Sequence, residues 1–459
     1  MILNIFVICS LRLSVRNLNR WTAVLIASGL LVGLHHQAHA SAAPEDSIVP
    51  DTARIFKKSD DETTKNKLLE FSGFIKYDLF ADTRQVVNAR EGLVSMYPEN
   101  RLVDASGNDV NAGRNLNMLS IHSRLALRSY GPVVFNARTS GLIEADFYGN
   151  ENSHFSDLNG LRLFNAYINF NWKTTGLLVG QYWHPMSVRE FFPNTVSFSA
   201  GAPFHPMSRN PQVRIRQMLG RFKLTGAFLS QRDFTSTGPD GPGSHYLRNA
   251  GIPNVHLQLQ YSGDSSAFSG GAGIDYKQLV PTRSALNDVG EVFKSNSLVS
   301  SVSFIGFLKM ETGNIGMTAQ GVYAQNAYDL LLLGGYAEKL VNDAYTVEKA
   351  YTNLNVASFW LDMWSIVRGV HVGAFIGYTK NLGAGNRIGD ARYSRGENIG
   401  WVYRLSPRMA YDIGPVNAAL EGEYTVAGYG TANGDGMGGV ADTAPVANFR
   451  SLLSVKYSF

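Results

Sequence analysis

Cysteine is nearly missing from these 459 residues: the only one is Cys9. It lies in a segment whose pattern marks it for removal, so the mature chain is expected to hold no disulfide and no thiol-ligated metal. Long apolar runs are missing too. No stretch approaches the roughly 18 apolar residues a membrane-spanning helix needs, and the mean hydropathy lies close to neutral, far too polar for a helix bundle in lipid. Charge is also scarce, with Asp, Glu, Lys and Arg together at 17%. The formal excess of +4 leans on Arg12, Arg16 and Arg20, and without these three 38 basic residues face 37 acidic ones. So even a balance gives no electrostatic footing for nucleic-acid binding.

What the chain has in quantity is glycine, at 46 residues, and aromatics, with 21 Tyr and 25 Phe. Many rings and glycines with few charges suit a sheet that turns one face to lipid, although an array of β-sandwiches shares that composition. The N-terminus reads as an export signal. Three arginines precede an apolar run from Trp21 to Leu34, and Ala38-His39-Ala40 follows as a small-x-small cleavage signature. Residues 1–40 are expected to be a signal peptide, cleaved after Ala40. Residues 41–70, polar and carrying Lys57-Lys58-Ser59-Asp60-Asp61-Glu62, are expected to form a short periplasmic extension with no sustained heptads. With no helix able to cross, anything embedded in a membrane here must be a closed barrel, the other structure that satisfies its backbone in lipid.

From Phe71 onward the dominant period is two, the period of a strand. Leu119, Ile121, Leu125 and Leu127 share one face while His122, Arg124 and Arg128 share the other. Trp401, Tyr403, Leu405, Met409, Tyr411 and Ile413 alternate with Arg404, Ser406, Arg408 and Asp412 in the same way. The pattern predicts sixteen strands, at 71–82, 116–130, 132–148, 160–173, 176–184, 211–219, 221–231, 254–262, 267–279, 294–309, 314–326, 355–366, 370–382, 399–413, 415–427 and 447–459. Eight long connections (83–115, 149–159, 185–210, 232–253, 280–293, 327–354, 383–398 and 428–446) alternate strictly with seven short ones, at Gly131, Lys173-Thr174-Thr175, Gly220, Gly313, Arg368-Gly369 and Gly414 among them. A sandwich has no reason to keep that order. An outer-membrane barrel has one, because its turns are short on the periplasmic side and its loops long outside. The expected fold is therefore all-β, a 16-stranded antiparallel transmembrane barrel over 71–459. Tyr457 and the terminal Phe459, on an alternating last strand, resemble the ending that barrel-assembly machinery reads in outer-membrane proteins.

Several short motifs add a family resemblance. They are Ser123-Arg124-Leu125, Glu144-Ala145-Asp146-Phe147-Tyr148-Gly149, Gly180-Gln181-Tyr182-Trp183-His184-Pro185, Gly201-Ala202-Pro203-Phe204 and Asn210-Pro211-Gln212-Val213-Arg214. In this order they resemble the trimeric porin family typified by DcaP, the dicarboxylate-associated channel, most clearly over about 70–230. The resemblance implies a 16-stranded homotrimer in outer-membrane lipid, a third long loop folded into each pore, and a preference for small anionic solutes such as dicarboxylates. The family's N-terminal coiled-coil extension has no counterpart in residues 41–70.

In so wide a barrel, inward positions are expected to be polar and to meet water. The inward phase carries Lys76, Arg124, Arg128, Arg138, Arg214, Arg216, Lys277, Arg404, Arg408 and Arg450, against Asp78, Glu144, Asp146, Asp275, Asp362, Asp412, Glu421 and Glu423. Arg124, Arg128, Arg138, Arg214 and Arg216 flank the third long loop, and arginine keeps its charge and presents a planar fork suited to carboxylate. A ladder of them could pass small anions along a wall. The plain alternative is that they pair with Glu144, Asp146 and other acids and only brace that wall. The 185–210 loop, with four prolines and Phe191, Phe192, Phe198 and Phe204, is the expected constriction, with Arg189, Glu190, His205 and Arg209 towards the channel. Tyr130, Trp172, Tyr182, Phe222, Tyr261, Tyr457 and Phe459 read as interfacial girdles.

The expected function is passive diffusion of small hydrophilic solutes, with no cofactor and no metal. An outer-membrane lipase is disfavoured because His122 and Ser123, adjacent on a strand, would point to opposite faces. Gly434-Asp435-Gly436-Met437-Gly438-Gly439 lies in a loop and so is no nucleotide fingerprint, and Asp435 and Asp442 have no specific Ca²⁺ spacing. A non-transporting barrel, acting as an adhesin or envelope-complex partner, stays open through the long loops at 83–115 and 327–354.

Overall fold

The computed structural model describes residues 68–149, 160–263, 267–287, 289–340 and 348–459. The expected signal peptide and all but the last residues of the expected extension lie outside them. Sixteen strands form one closed antiparallel barrel. They are β1 Leu69–Asp82, β2 Arg124–Val134, β3 Ala137–Asp146, β4 Arg162–Asn171, β5 Thr175–Trp183, β6 Arg209–Leu219, β7 Phe222–Leu229 and β8 Asn254–Ser262. Then follow β9 Phe268–Leu279, β10 Val299–Thr312, β11 Ile315–Gln325, β12 Tyr351–Val367, β13 Val370–Ala384, β14 Ile399–Ile413, β15 Val416–Ala432 and β16 Val440–Ser458. The seam is the β1–β16 pair, in register from Phe74 opposite Ser458 to Asp82 opposite Arg450. Closure leaves no sheet edge with unpaired N–H and C=O groups, which a hydrocarbon layer would not tolerate.

The two faces are the reverse of a soluble protein's. Leu125, Leu257, Phe304, Ile376, Leu405 and Leu420 lie exposed on the outer face, while Glu144, Asp362 and Arg404 are buried inside. That inversion follows from the period-two pattern once the outside is lipid.

The strand limits depart from the sequence reading where local chemistry overrides periodicity. The expected strand 116–130 is broken: Asn115–Leu119 pairs with the far end of β1, then residues 120–123 turn before β2 begins. The Ser123 hydroxyl accepts the backbone N–H of Lys76 at 3.1 Å, taking a donor from the ladder at that turn. The turn expected at Gly131 lies instead at Phe135-Asn136, both with positive φ (51° and 60°), the backbone of a tight hairpin. Two connections read as loops contain strands, Gly334–Lys339 and Ile388–Arg395, which pair with each other. Two more hold small hairpins, Val86–Ala89 with Val94–Pro98 and Ser284–Leu286 with Val292–Lys294. Hydrogen bonding to a neighbouring segment, not alternation, makes these strands, so a periodicity search passes over them.

Candidate channel constriction

Residues 184–208 join β5 to β6 and cross the inside of the barrel. Their partners are inward side chains on strands far around the wall. From β11, Gln320 donates to the Met186 carbonyl at 3.2 Å, and its amide oxygen lies 2.8 Å from His205 Nδ1. From β12, Ser358 donates to the Phe204 carbonyl at 2.9 Å and Asp362 accepts the Asn194 N–H at 3.0 Å. From β15, Glu421 accepts the Val196 N–H at 2.6 Å, and from β1 the Lys76 ammonium donates to the Val196 carbonyl at 2.9 Å. Phe191, Ala202 and Phe204 are almost fully buried, together with Met186. The loop is anchored by both polar and apolar contacts, so its position is held from several directions at once.

His205 sits between the rings of Phe192 and Trp360. Burial there, with Arg189 nearby, pushes its pKa down to about 4, and the hydrogen bond with Gln320 offsets only part of this. Glu190 accepts from Lys223 at 2.6 Å and from Gln260 at 2.7 Å. Burial alone would raise the Glu190 pKa, but the Lys223 ammonium outweighs it and holds the carboxyl below its ordinary range.

The arginines expected to face the channel fall into two groups. One group is neutralised. Arg408 forms a fork on Asp362 at 2.6 and 3.0 Å. Arg404 lies 3.6 Å from Glu423 and donates to the carbonyls of Ala202, Ser95 and Met96 at 2.9, 2.9 and 3.1 Å, which pins two inward segments to the wall. Arg209 grips Asp233 at 2.7 Å. Arg90 and Arg162 share that carboxylate, and together the three hold its pKa below the usual range against its burial. Two further arginines belong to neither group: Arg128 lies 3.9 Å from Glu70, near the short-turn end, and Arg138 is exposed beside the Phe135-Asn136 turn. These two sit away from the crossing loop.

The second group has no carboxylate within ion-pair distance among the described residues. Arg124 does not pair with Glu144 or Asp146: its guanidinium lies 3.3 Å from the centroid of the Phe164 ring. Glu144 instead accepts from Asn165 at 2.5 Å, and Asp146 takes a fork from Arg162 at 2.9 and 2.7 Å. A bulge in β4 explains the exchange. Glu144 is opposite Asn165 and Ala145 is opposite Leu163, so Phe164 is the extra residue and both it and Asn165 turn inward. Arg214 donates to Gln212 at 2.8 Å and to the Trp183 carbonyl at 2.5 Å, with Tyr182 under it at 5.2 Å. Arg216 stands above Gly176, where a Cβ would come within 3.2 Å of its guanidinium. These three are partly exposed. Arg189, on the loop and outside this group, lies 5.0 Å from the Phe192 ring.

Arg162, Asp233, Lys223, Gln260 and Phe164 were absent from the sequence reading. Lys223 keeps the inward parity of its strand, so alternation could have found it, whereas the bulge at Phe164 shifts Arg162 out of phase with Asn165, Tyr167 and Asn169. Asp233 is in a loop and carried no such signal. Tyr182, read as a girdle residue, points inward and packs on Tyr167 at 5.2 Å. His122 and Ser123 lie in the 120–123 turn, so the opposite-face argument against a serine–histidine pair does not apply. The pair is engaged otherwise: His122 packs on Phe198 at 4.4 Å with Nδ1 3.8 Å from Asp78, while the Ser123 hydroxyl takes the Lys76 N–H.

No family model and no curated protein matches the chain. Solved structures do. The crystal structure of the outer membrane channel DcaP of Acinetobacter baumannii superposes with a TM-score of 0.60 over 85% of this chain and 97% of that one, at 16% identity. The fold is that of an outer-membrane channel. Two structures of OmpT, an outer membrane protein of Vibrio cholerae, match this barrel at TM-score 0.50 and 10% identity, over 85% of this chain and 97% of theirs. At such identity the likeness is one of fold. The DcaP resemblance read from short motifs is matched by the similarity of the whole barrel.

Proposed function

We propose that the protein is a porin of the bacterial outer membrane through which small hydrophilic solutes diffuse, and that it favours small anions, dicarboxylates among them. The observation that carries this reading is the un-neutralised set Arg124, Arg214 and Arg216 on β2 and β6, beside a loop that crosses the lumen. A narrow path with low-dielectric walls strengthens their field, raising the local concentration of anions, while salt at physiological strength screens it beyond about 8 Å. The crossing loop is the proposed constriction. The exported leader, the homotrimeric state and delivery through the barrel-assembly machinery belong to the same proposal.

The test is electrical. Arg124→Ala with Arg214→Ala should shift the reversal potential in a salt gradient towards cations, most at low salt, and should weaken block of the current by succinate. The barrel should still form, because lumen positions tune selectivity more than stability. An unchanged succinate response in the double variant would remove the anion preference and leave a general diffusion pore. A wild-type barrel that conducts nothing in planar bilayers would remove the porin reading altogether and favour an adhesin or envelope-complex role.

A further inference from the structure

Polar inward faces are the rule for a wide barrel, and part of the inner wall from β10 to β14 departs from it. Ile305, Val322, Val356, Trp360, Phe375 and Val402 have inward parity and are almost completely buried. In an open lumen they would meet water, so something apolar covers them. The crossing loop supplies part of that cover. The rest comes from the connection between β11 and β12.

There, Leu330-Leu331-Leu332-Leu333 joins the same buried cluster, each residue at most 3% exposed. Four consecutive buried leucines fit neither a strand nor a helix with one wet face, since either would expose some of them. They fit a segment surrounded on all sides. Leu331 adopts φ 59°, a left-handed backbone unfavourable for any L side chain, so the surroundings must hold it there. The holding contacts are visible. The Met207 N–H of the crossing loop donates to the Leu330 carbonyl at 3.0 Å. Arg395 donates to the carbonyls of Tyr328 and Leu332 at 2.8 and 3.2 Å. Asp329, buried at the tip, accepts from Gln231 at 2.7 Å and from the Lys277 ammonium.

We infer that residues 326–337 are a second constriction element: they fill the β10–β14 side of the lumen, wedge the crossing loop in place, and leave the arginine-lined β2–β7 side as the space for water. This rests on the porin reading only where it speaks of transport. Its consequence is a narrow off-axis channel. Solutes travel beside Arg124, Arg214 and Arg216 and not along the barrel axis, so calibre is set by apolar packing on one side and charge by the other.

The test uses the full chain with Cys9→Ser, in vesicles. Val402→Cys reports on the space under the wedge and Arg216→Cys on the open side, each read by its labelling rate with a charged, water-soluble maleimide. The expected result is ready labelling of R216C and slow labelling of V402C. Adding Leu330→Ser, Leu331→Ser and Leu332→Ser should speed V402C labelling about tenfold or more, as a locally opened segment does, and should let larger sugars through in liposome swelling. Asp329→Ala, which cuts only the latch, should act in the same direction and serves if the triple variant does not assemble. Equal labelling of V402C and R216C in the parent would overturn the wedge. So would a folded wedge variant whose labelling and size limit are unchanged. Labelling needs no current, so a barrel that fails to conduct defeats the porin reading and leaves the wedge to be judged on labelling.

Discussion

Arg404 and Arg216 both point into the lumen, and truncating them should have different outcomes. Arg404 is 1% exposed and satisfies three loop carbonyls as well as Glu423. Arg404→Ala leaves a buried carboxylate and those carbonyls short of a partner, a change that costs about 3–5 kcal/mol. The loss should appear as a lower unfolding midpoint in urea. Arg216→Ala removes a cation with no hydrogen bond or ion pair among the described residues, and should leave that midpoint unchanged while lowering anion selectivity. Alternation placed both side chains inward from sequence, but it says nothing about which acid stands opposite. That depends on the β4 bulge and on loop folding, and neither has a period. Acid should also loosen the crossing loop. His205 is held neutral with a pKa near 4, against about 6.5 in the unfolded chain, so the unfolded state binds more protons between these values. The stability it contributes is present above the unfolded value and falls as pH drops through that window. Glu190, whose pKa is depressed, loses its contribution in the same direction at lower pH. Proteolysis within 184–208 should therefore be faster near pH 4 than at pH 7, and His205→Gln should flatten the upper part of that dependence. Equal rates at both pH values would show that the apolar packing alone fixes the loop.

At the level of elements, the barrel seam is the clearest place to test how strands close. The N–H groups of Gly73 and Phe459 each donate to the other's carbonyl at 3.0 Å. A Cβ on Gly73 would sit 2.6 Å from the Arg124 carbonyl oxygen and 2.8 Å from the Phe459 ring. The ring can move, but the carbonyl belongs to β2 and cannot. Gly73→Val should therefore hinder closure of β1 on its neighbours, seen as loss of the fast-migrating unheated band in SDS gels. A normal band would mean that the seam yields. Phe459 and Tyr457 lie outward as the terminal alternation predicts, with Phe71 beside Phe459 at 5.9 Å. Most of the strands were legible in this way, because one face meets lipid and the other does not. The break at 120–123 and the strand Gly334–Lys339 were not, since hydroxyl competition and pairing between distant loops leave no alternating trace. Inward apolar residues such as Trp360 and Phe375 were a signal of a filled lumen that the rule of polar interiors concealed.

On the scale of the whole molecule, the outer surface is apolar all the way round, so lipid and a second barrel would meet the same kind of face. A face that meets lipid and a face that meets another barrel both need uncharged, exposed side chains, and Leu127 on β2, Leu257 on β8, Ile376 on β13 and Leu420 on β15 are all of that kind. Replacement by arginine separates the two environments. Against lipid, an arginine near the bilayer midplane costs about 2–4 kcal/mol of barrel stability, with a smaller penalty towards either interface. Such a variant still assembles if the face lies outside a contact between subunits. Between subunits, the same charge is buried against the neighbouring barrel, once in every contact of a closed ring. Its desolvation then acts on association more than on folding. One arginine at each of these four positions, read by native mass spectrometry in detergent, should yield variants that keep a trimer with a lowered unfolding midpoint and at least one that appears as a folded monomer. The monomer-forming positions mark the interface. If the wild-type barrel itself flies only as a monomer, the trimer is refuted, and all four substitutions should then report lipid contact alone.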